Sequence, residues 1–177
     1  MAGSGEDVAT VLRRLIRDIP DYPQPGVVFK DITPLLADPA GFAAVVQALA
    51  TGQDHVDKVA GIEARGFILA APVARELGVG FVPVRKVGKL PGPTHAETYE
   101  LEYGTATVEV HTDAFEPGER VLMVDDVLAT GGTAAATAAL IRRAGAEVVS
   151  LAVLIELAFL NGRDRLPGLD IRALVAL

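Results

Sequence analysis

The run Val121-Leu-Met-Val-Asp125-Asp126-Val-Leu-Ala129-Thr130-Gly131-Gly132-Thr133 constrains this chain more than any other stretch. An apolar, β-rich segment, predicted as a strand over Arg120–Val124, delivers two adjacent carboxylates at its C-terminal end. A loop of small residues follows, and an Ala-rich helical pattern then runs from about Thr133 to Arg143 and stops at Gly145. A buried strand feeding a helix through glycines is the building unit of a parallel α/β sheet. Those glycines free the backbone so that consecutive N–H groups can point at one anion. The helix N-terminus adds partial positive charge, and the Thr130 and Thr133 hydroxyls add donors. This is the pattern of a phosphate cradle, though not of a Walker loop, because no Lys follows the glycines. Two aspartates fit beside an anion only if they face another part of the same ligand. Vicinal hydroxyls are natural partners for carboxylates, so the unit suits a ribose 5-phosphate. Taken separately, Asp125-Asp126 reads as a helix cap paired with surface Arg, and Gly131-Gly132 as an ordinary turn; the whole unit favours the ligand.

The remaining chain continues the alternation. A helical face of Val8, Val11, Leu12, Leu15 and Ile16 spans about Asp7 to Arg17. Pro20, Pro23, Pro25 and Gly26 break it into an extended, turn-rich segment. Asp38 followed by Pro39 reads as an N-cap with Pro at the first helical position, opening a helix to about Ala50. A buried strand is predicted over Lys58–Ile62, a helix over Gly66–Leu77 ending at Gly78, and a second strand over Phe81–Val84. Gly88 to Thr98 reads as an exposed loop, and Tyr99 to Tyr103 with Thr105 to His111 as a hairpin outside the main sheet. Glu147–Ile155 and Ile171–Val175 complete a mostly parallel core of five or six strands.

Composition narrows the chemistry. A chain of 177 residues suits one domain, and folding at that mass hides roughly 70% of the unfolded surface, enough for a core without staples. The chain carries no cysteine, which excludes disulfides, thiolate catalysis and Cys-ligated zinc. Three scattered histidines give no metal site. A net charge of −7 argues against a broad nucleic-acid footprint or an anionic membrane surface. With no targeting pattern and no apolar run of spanning length, the expectation is a soluble cytoplasmic protein. Against that acidic background Arg85, Lys86 and Lys89 form the one dense basic cluster of the central chain, suited to an anionic ligand; Lys86 alone reads equally as a solubilising charge.

Val124 to Thr133 resembles the phosphoribosyl-pyrophosphate signature of the type I phosphoribosyltransferases. Further blocks resemble the adenine phosphoribosyltransferase family in that family's order: Pro25-Gly-Val-Val-Phe-Lys-Asp-Ile-Thr-Pro34, Gly61-Ile-Glu-Ala-Arg-Gly-Phe67, Val84-Arg-Lys86, Lys89-Leu-Pro-Gly-Pro-Thr94 and Leu101-Glu-Tyr-Gly104. The likeness covers the chain from about Ile19 onward. It implies an α/β fold of type I phosphoribosyltransferase architecture: a mostly parallel central sheet flanked by helices, in a single domain spanning 1–177. A small N-terminal hood would occupy about 1–36 and a β-hairpin lid about 88–104. The implied reaction joins adenine to 5-phosphoribosyl 1-pyrophosphate, giving AMP and pyrophosphate, in a homodimer, with Mg2+ arriving on the donor and no dedicated metal cage in the protein.

The resemblance also implies roles residue by residue. Asp125, Asp126, Ala129, Thr130, Gly131, Gly132 and Thr133 would take the ribose and its 5-phosphate. Ala64, Arg65 and Gly66, near a non-proline cis peptide, would take the pyrophosphate together with Arg85, Lys86 and Lys89, some reaching across the dimer. Read alone, Gly61 to Phe67 is also a plain turn with Glu63 and Arg65 solvated. Phe29 would stack on the purine and Val28 read its edge through the backbone, although Val27 to Lys30 reads equally as an apolar anchor. Lys30 stands where some members carry Arg and lacks the bidentate fork. Glu102 would handle the base proton beneath the lid, with Tyr103 beside it. Ala129 replaces the Asp that 6-oxopurine enzymes place in this loop, which favours adenine. Glu156, Leu157 and the Arg163 region are given structure rather than chemistry. The alternatives are a relative acting on a 6-oxopurine, a pyrimidine or orotate, and a regulator that keeps the cradle as a sensor.

Overall fold

A computed structural model describes residues 7–100 and 104–177. Glu102 and Tyr103 lie outside the described residues. The chain divides into two compact units, Met1–Ala48 and Leu49–Leu177.

The first unit holds α1 (Val8–Leu15), a two-stranded antiparallel sheet of β1 (Arg17–Pro20) and β2 (Val28–Asp31), α2 (Thr33–Ala37) and most of α3 (Pro39–Ala50). α1 buries Val11 and Leu12, two members of the predicted apolar face. Asp38 caps α3 as the sequence implies: its Oδ1 accepts the Gly41 N–H at 2.7 Å, satisfying one donor that the helix leaves open. The β1–β2 hairpin gives the expected extended, turn-rich segment a regular ladder. Arg17 pairs with Asp31 and Pro20 with Val28. Pro20 can sit there because each strand of a two-stranded sheet is an edge strand, where Pro is tolerated.

The second unit is built on β3 (Lys58–Ile62), α4 (Arg65–Leu77), β4 (Gly80–Lys86), β5 (Thr94–Glu100), β6 (Thr105–His111), β7 (Arg120–Leu128), α5 (Gly132–Arg143), β8 (Glu147–Glu156) and β9 (Asp170–Ala176). Seven strands form one sheet in the order β5-β6-β4-β3-β7-β8-β9. The five from β4 to β9 in that order run parallel. The hairpin is not separate from the sheet: β6 pairs antiparallel with β4 through Arg85–Glu109 and Lys86–Val108, extending it. Thr94 to Thr98, expected as loop, belongs to β5, whose Thr94–Glu100 ladder against β6 is continuous. Val121 to Val124 are fully buried, as a strand covered on both faces must be. No helix among the described residues is long and apolar enough to cross a membrane.

The sheet order sets the site. The chain leaves β3 toward β4 on one side and enters β7 on the other, so the strand order switches direction between β3 and β7. In open α/β sheets a crevice forms at the carboxyl ends of the strands flanking such a switch. β3 pairs with β7 only as far as Gly61–Val124, whereas β8 follows β7 to Leu128–Glu156. β7 therefore runs past its β3 neighbour, and Asp125 and Asp126 lie within the strand rather than beyond its end.

Candidate active site

Two strand-to-helix turns meet at this crevice. The first, Glu63–Ala64, leads from β3 into α4 and contains the expected cis peptide, between Glu63 and Ala64. The second, Ala129–Gly131, leads from β7 into α5. Gly66 marks the contact between them. A Cβ there would lie 2.9 Å from both Asp125 Oδ1 and the Val124 carbonyl oxygen, closer than real Cβ contacts come, so the start of α4 lies directly against the acidic pair.

Gly131 adopts φ +80 at the N-cap of α5, a left-handed backbone that favours glycine. Its carbonyl accepts the Ala135 N–H at 2.9 Å, while the N–H groups of the first turn stay open as every helix start leaves them. Asp125, Ala129, Thr130, Gly131, Gly132 and Thr133 line a common open cleft of about 80 Å³. The structure thus brings these loop residues together in one place. Thr133 Oγ1 donates to the Tyr99 hydroxyl at 3.0 Å, so the end of β5 reaches the same helix start.

The two aspartates differ in surroundings. Asp126 is buried and forms an ion pair from Oδ2 to Arg65 Nε at 2.8 Å; it does not line the cleft. Asp125 does. Its Oδ1 accepts the Asp126 N–H at 2.9 Å. Burial, with the negative Asp126 beside it, pushes the Asp125 carboxyl well above the usual carboxylate range, and neither that N–H nor the nearby Arg65 reverses the shift.

Glu63 organises the basic cluster, a role the sequence reading missed. Its nearly buried carboxylate receives Arg85 Nε at 3.3 Å, the Lys86 N–H at 3.0 Å and the Lys89 ammonium. Burial alone would raise this carboxyl, but Lys89, the Lys86 N–H and Arg85 together hold it below the usual range. Two of the cations expected around a diphosphate, Arg85 and Lys89, therefore converge on one anion of the same chain, Lys86 joining through its backbone N–H, while Arg65 pairs with Asp126. Glu109, on β6, acts in a similar way. It is 3% exposed and accepts the Lys89 and Leu90 N–H groups, each at 3.0 Å, and the Thr94 hydroxyl at 3.3 Å. Burial opposes its charge, yet the N–H groups of Leu90 and Lys89 and the Thr94 hydroxyl outweigh it and lower its pKa. The segment entering β5 is thereby pinned at its base. Nothing in the local sequence around Glu63 or Glu109 separates them from solvated surface acids.

In the first unit, Phe29 meets Tyr22 edge to face at 5.2 Å between ring centroids. Lys30 Nζ lies 2.8 Å from Asp18 Oδ1, and Val28 is exposed. No group of three or more His, Asp or Glu side chains that could hold a metal occurs among the described residues.

Comparison with known proteins adds the family. The model of the phosphoribosyl transferase domain matches residues 32–167. An adenine phosphoribosyltransferase of Thermobifida fusca is 64% identical over 170 residues, 95% of this chain and 97% of that protein. The crystal structure of the adenine phosphoribosyltransferase of Rhodothermus marinus superposes with a TM-score of 0.91 at 53% identity, covering 96% of this chain and 98% of the other. That of Saccharomyces cerevisiae, complexed with an imino-altritol bisphosphate and adenine, gives 0.91 at 36% identity over 95% and 98% of the two chains. The resemblance read from the sequence signature is thus met by domain, by relatives and by fold, and the chain belongs to the adenine phosphoribosyltransferase family of phosphoribosyl transferase domain proteins.

Proposed function

We propose that this chain transfers the phosphoribosyl group of 5-phosphoribosyl 1-pyrophosphate to adenine, releasing AMP and pyrophosphate in purine salvage. One observation carries the reading: the open helix start at Ala129–Thr133 lies beside Asp125, within a crevice whose other turn contains Glu63, which gathers the Arg85 and Lys89 cations. An anion at one end, hydroxyls in the middle and a second, more highly charged anion describe that donor.

The cradle backbone and the Thr130 and Thr133 hydroxyls hold the 5-phosphate, while Asp125 and Asp126 accept from the ribose hydroxyls. Ala64, Arg65 and Gly66 with Arg85, Lys86 and Lys89 take the diphosphate. A purine ring nitrogen forms a bond to C1′ as the C1′–oxygen bond to pyrophosphate breaks and the electron pair leaves with the diphosphate. Catalysis then rests on positioning and on electrostatic care of the leaving group. Phe29 stacks on the base, with Val28 and Lys30 at its edge, and Glu102 takes the proton that the attacking purine sheds; these roles rest on the family likeness. Magnesium arriving on the donor would be held by hard oxygen ligands and would supply charge neutralisation on the leaving diphosphate. The donor's own oxygens would hold it, since no group of acids that could hold a metal occurs among the described residues. We also propose a homodimer acting in the cytoplasm.

A purine panel with the donor and magnesium tests the reading, following monophosphate formation. A backbone carbonyl rewards the exocyclic amine of adenine and opposes the 6-oxo group. Adenine should exceed hypoxanthine in kcat/KM by at least about tenfold, which corresponds to about 1.4 kcal/mol. Equal efficiency on hypoxanthine would remove the adenine assignment.

A further inference from the structure

Behind the cradle the chain makes an unusually close backbone contact. Gly162 lies so near Ala129–Gly131 that a Cβ on it would overlap the Ala129 carbonyl oxygen and come within 3.2 Å of the Gly131 nitrogen. The reverse holds too: a Cβ on Gly131 would overlap the Gly162 carbonyl oxygen and lie 3.2 Å from the Gly162 Cα. Gly162 is not in the left-handed region, so its backbone would accept a side chain; only the space does not.

What holds Gly162 there is the residue after it. Arg163 grips Glu156 with both arms of its guanidinium, Nε to Oε1 and Nη2 to Oε2, each at 2.7 Å, and Nη1 donates to the Ile171 carbonyl at 3.0 Å. Glu156 ends β8, opposite Leu128 of β7, the residue immediately before the cradle loop, and Ile171 belongs to β9. The fork thus fixes Gly162 to the two strands outside β7. A planar bidentate pair defines orientation as well as distance, which a lysine at the same place would not. The Arg163 hydrogen bonds depress the Glu156 carboxyl despite its burial, and the same pair raises Arg163.

We propose that Gly162, aimed by the Arg163–Glu156 pair, is the back wall that sets the position of the phosphate-binding loop, making these three positioning residues for the donor's 5-phosphate. The proposal rests on the reading of Ala129–Thr133 as that loop. An added methyl at Gly162 must push the Ala129 carbonyl and the Gly131 peptide into the cleft, tilting N–H groups that would otherwise converge on the anion. Arg163→Lys keeps the charge and loosens the aim.

The test measures KM for donor and adenine separately, together with ribose 5-phosphate affinity by calorimetry, for Gly162→Ala and Arg163→Lys. Misplacement on the ångström scale is costly, so Gly162→Ala should raise donor KM and the ribose 5-phosphate Kd by about tenfold or more, with adenine KM unchanged. Arg163→Lys should shift them in the same direction by less. Val175→Ala, a core truncation in β9 that lowers thermal stability, should leave donor KM alone, which separates aim from loss of fold. Should Gly162→Ala not fold, the exchange of Glu156→Arg with Arg163→Glu decides: it should recover some of the donor affinity that Arg163→Glu alone loses. Thr133→Ala distinguishes the two levels. If it keeps native donor affinity, the loop assignment itself fails. If it loses affinity while Gly162→Ala and Arg163→Lys retain it, or the paired exchange recovers none, the back-wall proposal is overturned.

Discussion

Glu63→Gln is the most informative single change, because the Glu63 carboxylate draws together Arg85, Lys89 and the Lys86 N–H. The amide keeps an oxygen for the Lys86 N–H but loses the charge that draws Arg85 and Lys89. Both cations are at least a third exposed, and water will reclaim them, so each pair is worth at most about 1 kcal/mol. With relief of the buried charge set against them, the net destabilisation should be about 1 kcal/mol or less, lowering Tm by no more than roughly 2–4 °C for a chain of this size. The pH dependence has a definite sign. Folding depresses the Glu63 carboxyl, so the unfolded chain binds the proton more readily. The stabilisation is therefore complete above the ordinary carboxylate range and disappears as pH falls through the depressed value. Thermal melts of both proteins from neutral to acid pH should converge at the acid end. Melts that run parallel throughout would refute the argument that charge, rather than packing, makes Glu63 stabilising. Pyrophosphate affinity supplies a second reading. Glu63 and an incoming diphosphate compete for the same cations, so Glu63→Gln should bind pyrophosphate more tightly while folding less stably. Unchanged affinity would mean that the diphosphate does not use Arg85 and Lys89.

Asp125→Asn should stabilise the ligand-free protein at neutral pH while weakening donor binding. The native carboxyl is raised by burial and by Asp126, so stability falls as pH climbs through its titration, and a neutral amide escapes that loss; melts showing no gain would contradict it. Asp126→Ala and Thr133→Ala should weaken donor binding in calorimetry with the fold retained by circular dichroism, and native affinity in both would misplace the site. Glu102→Leu should lower kcat far more than donor affinity, and an equal loss in both would make it a binding residue.

Much of the second unit is legible because its signals are local. β3 spans the predicted Lys58–Ile62, and α5 begins one residue before the predicted Thr133. Apolar runs, glycines and a signature all lie within short windows there. Legibility fails where a partner is distant in sequence. β7 continues through Asp125 and Asp126 because β8 pairs with it to the end, which two acids in a row do not announce. Thr94 to Thr98 reads as loop because a polar edge strand takes its shape from β6. Pro20, Pro23 and Pro25 hide the β1–β2 hairpin, since breakers and the ends of a strand look alike. Gly162 reads as one glycine of a turn; its purpose emerges only when Ala129 and Gly131 are seen against it. Glu63, Glu109 and Tyr99 carry no signal beyond their residue type.

The position of the crevice in the strand order also bears on how the molecule assembles. β3, α4 and β4 are neighbours in the chain, and so are β7, α5 and β8. The ladder joining these two blocks pairs Lys58 with Val121, far apart along the chain. Distant pairings must overcome the largest loop-closure entropy before any contact repays it. Each block can therefore carry its own turn, Glu63–Ala64 or Ala129–Gly131, well before the two face one another. The contact of Gly66 with Asp125 exists only once the seam has closed. Ligand affinity should accordingly recover on refolding with the slowest structural phase, making donor binding a direct report of the central seam.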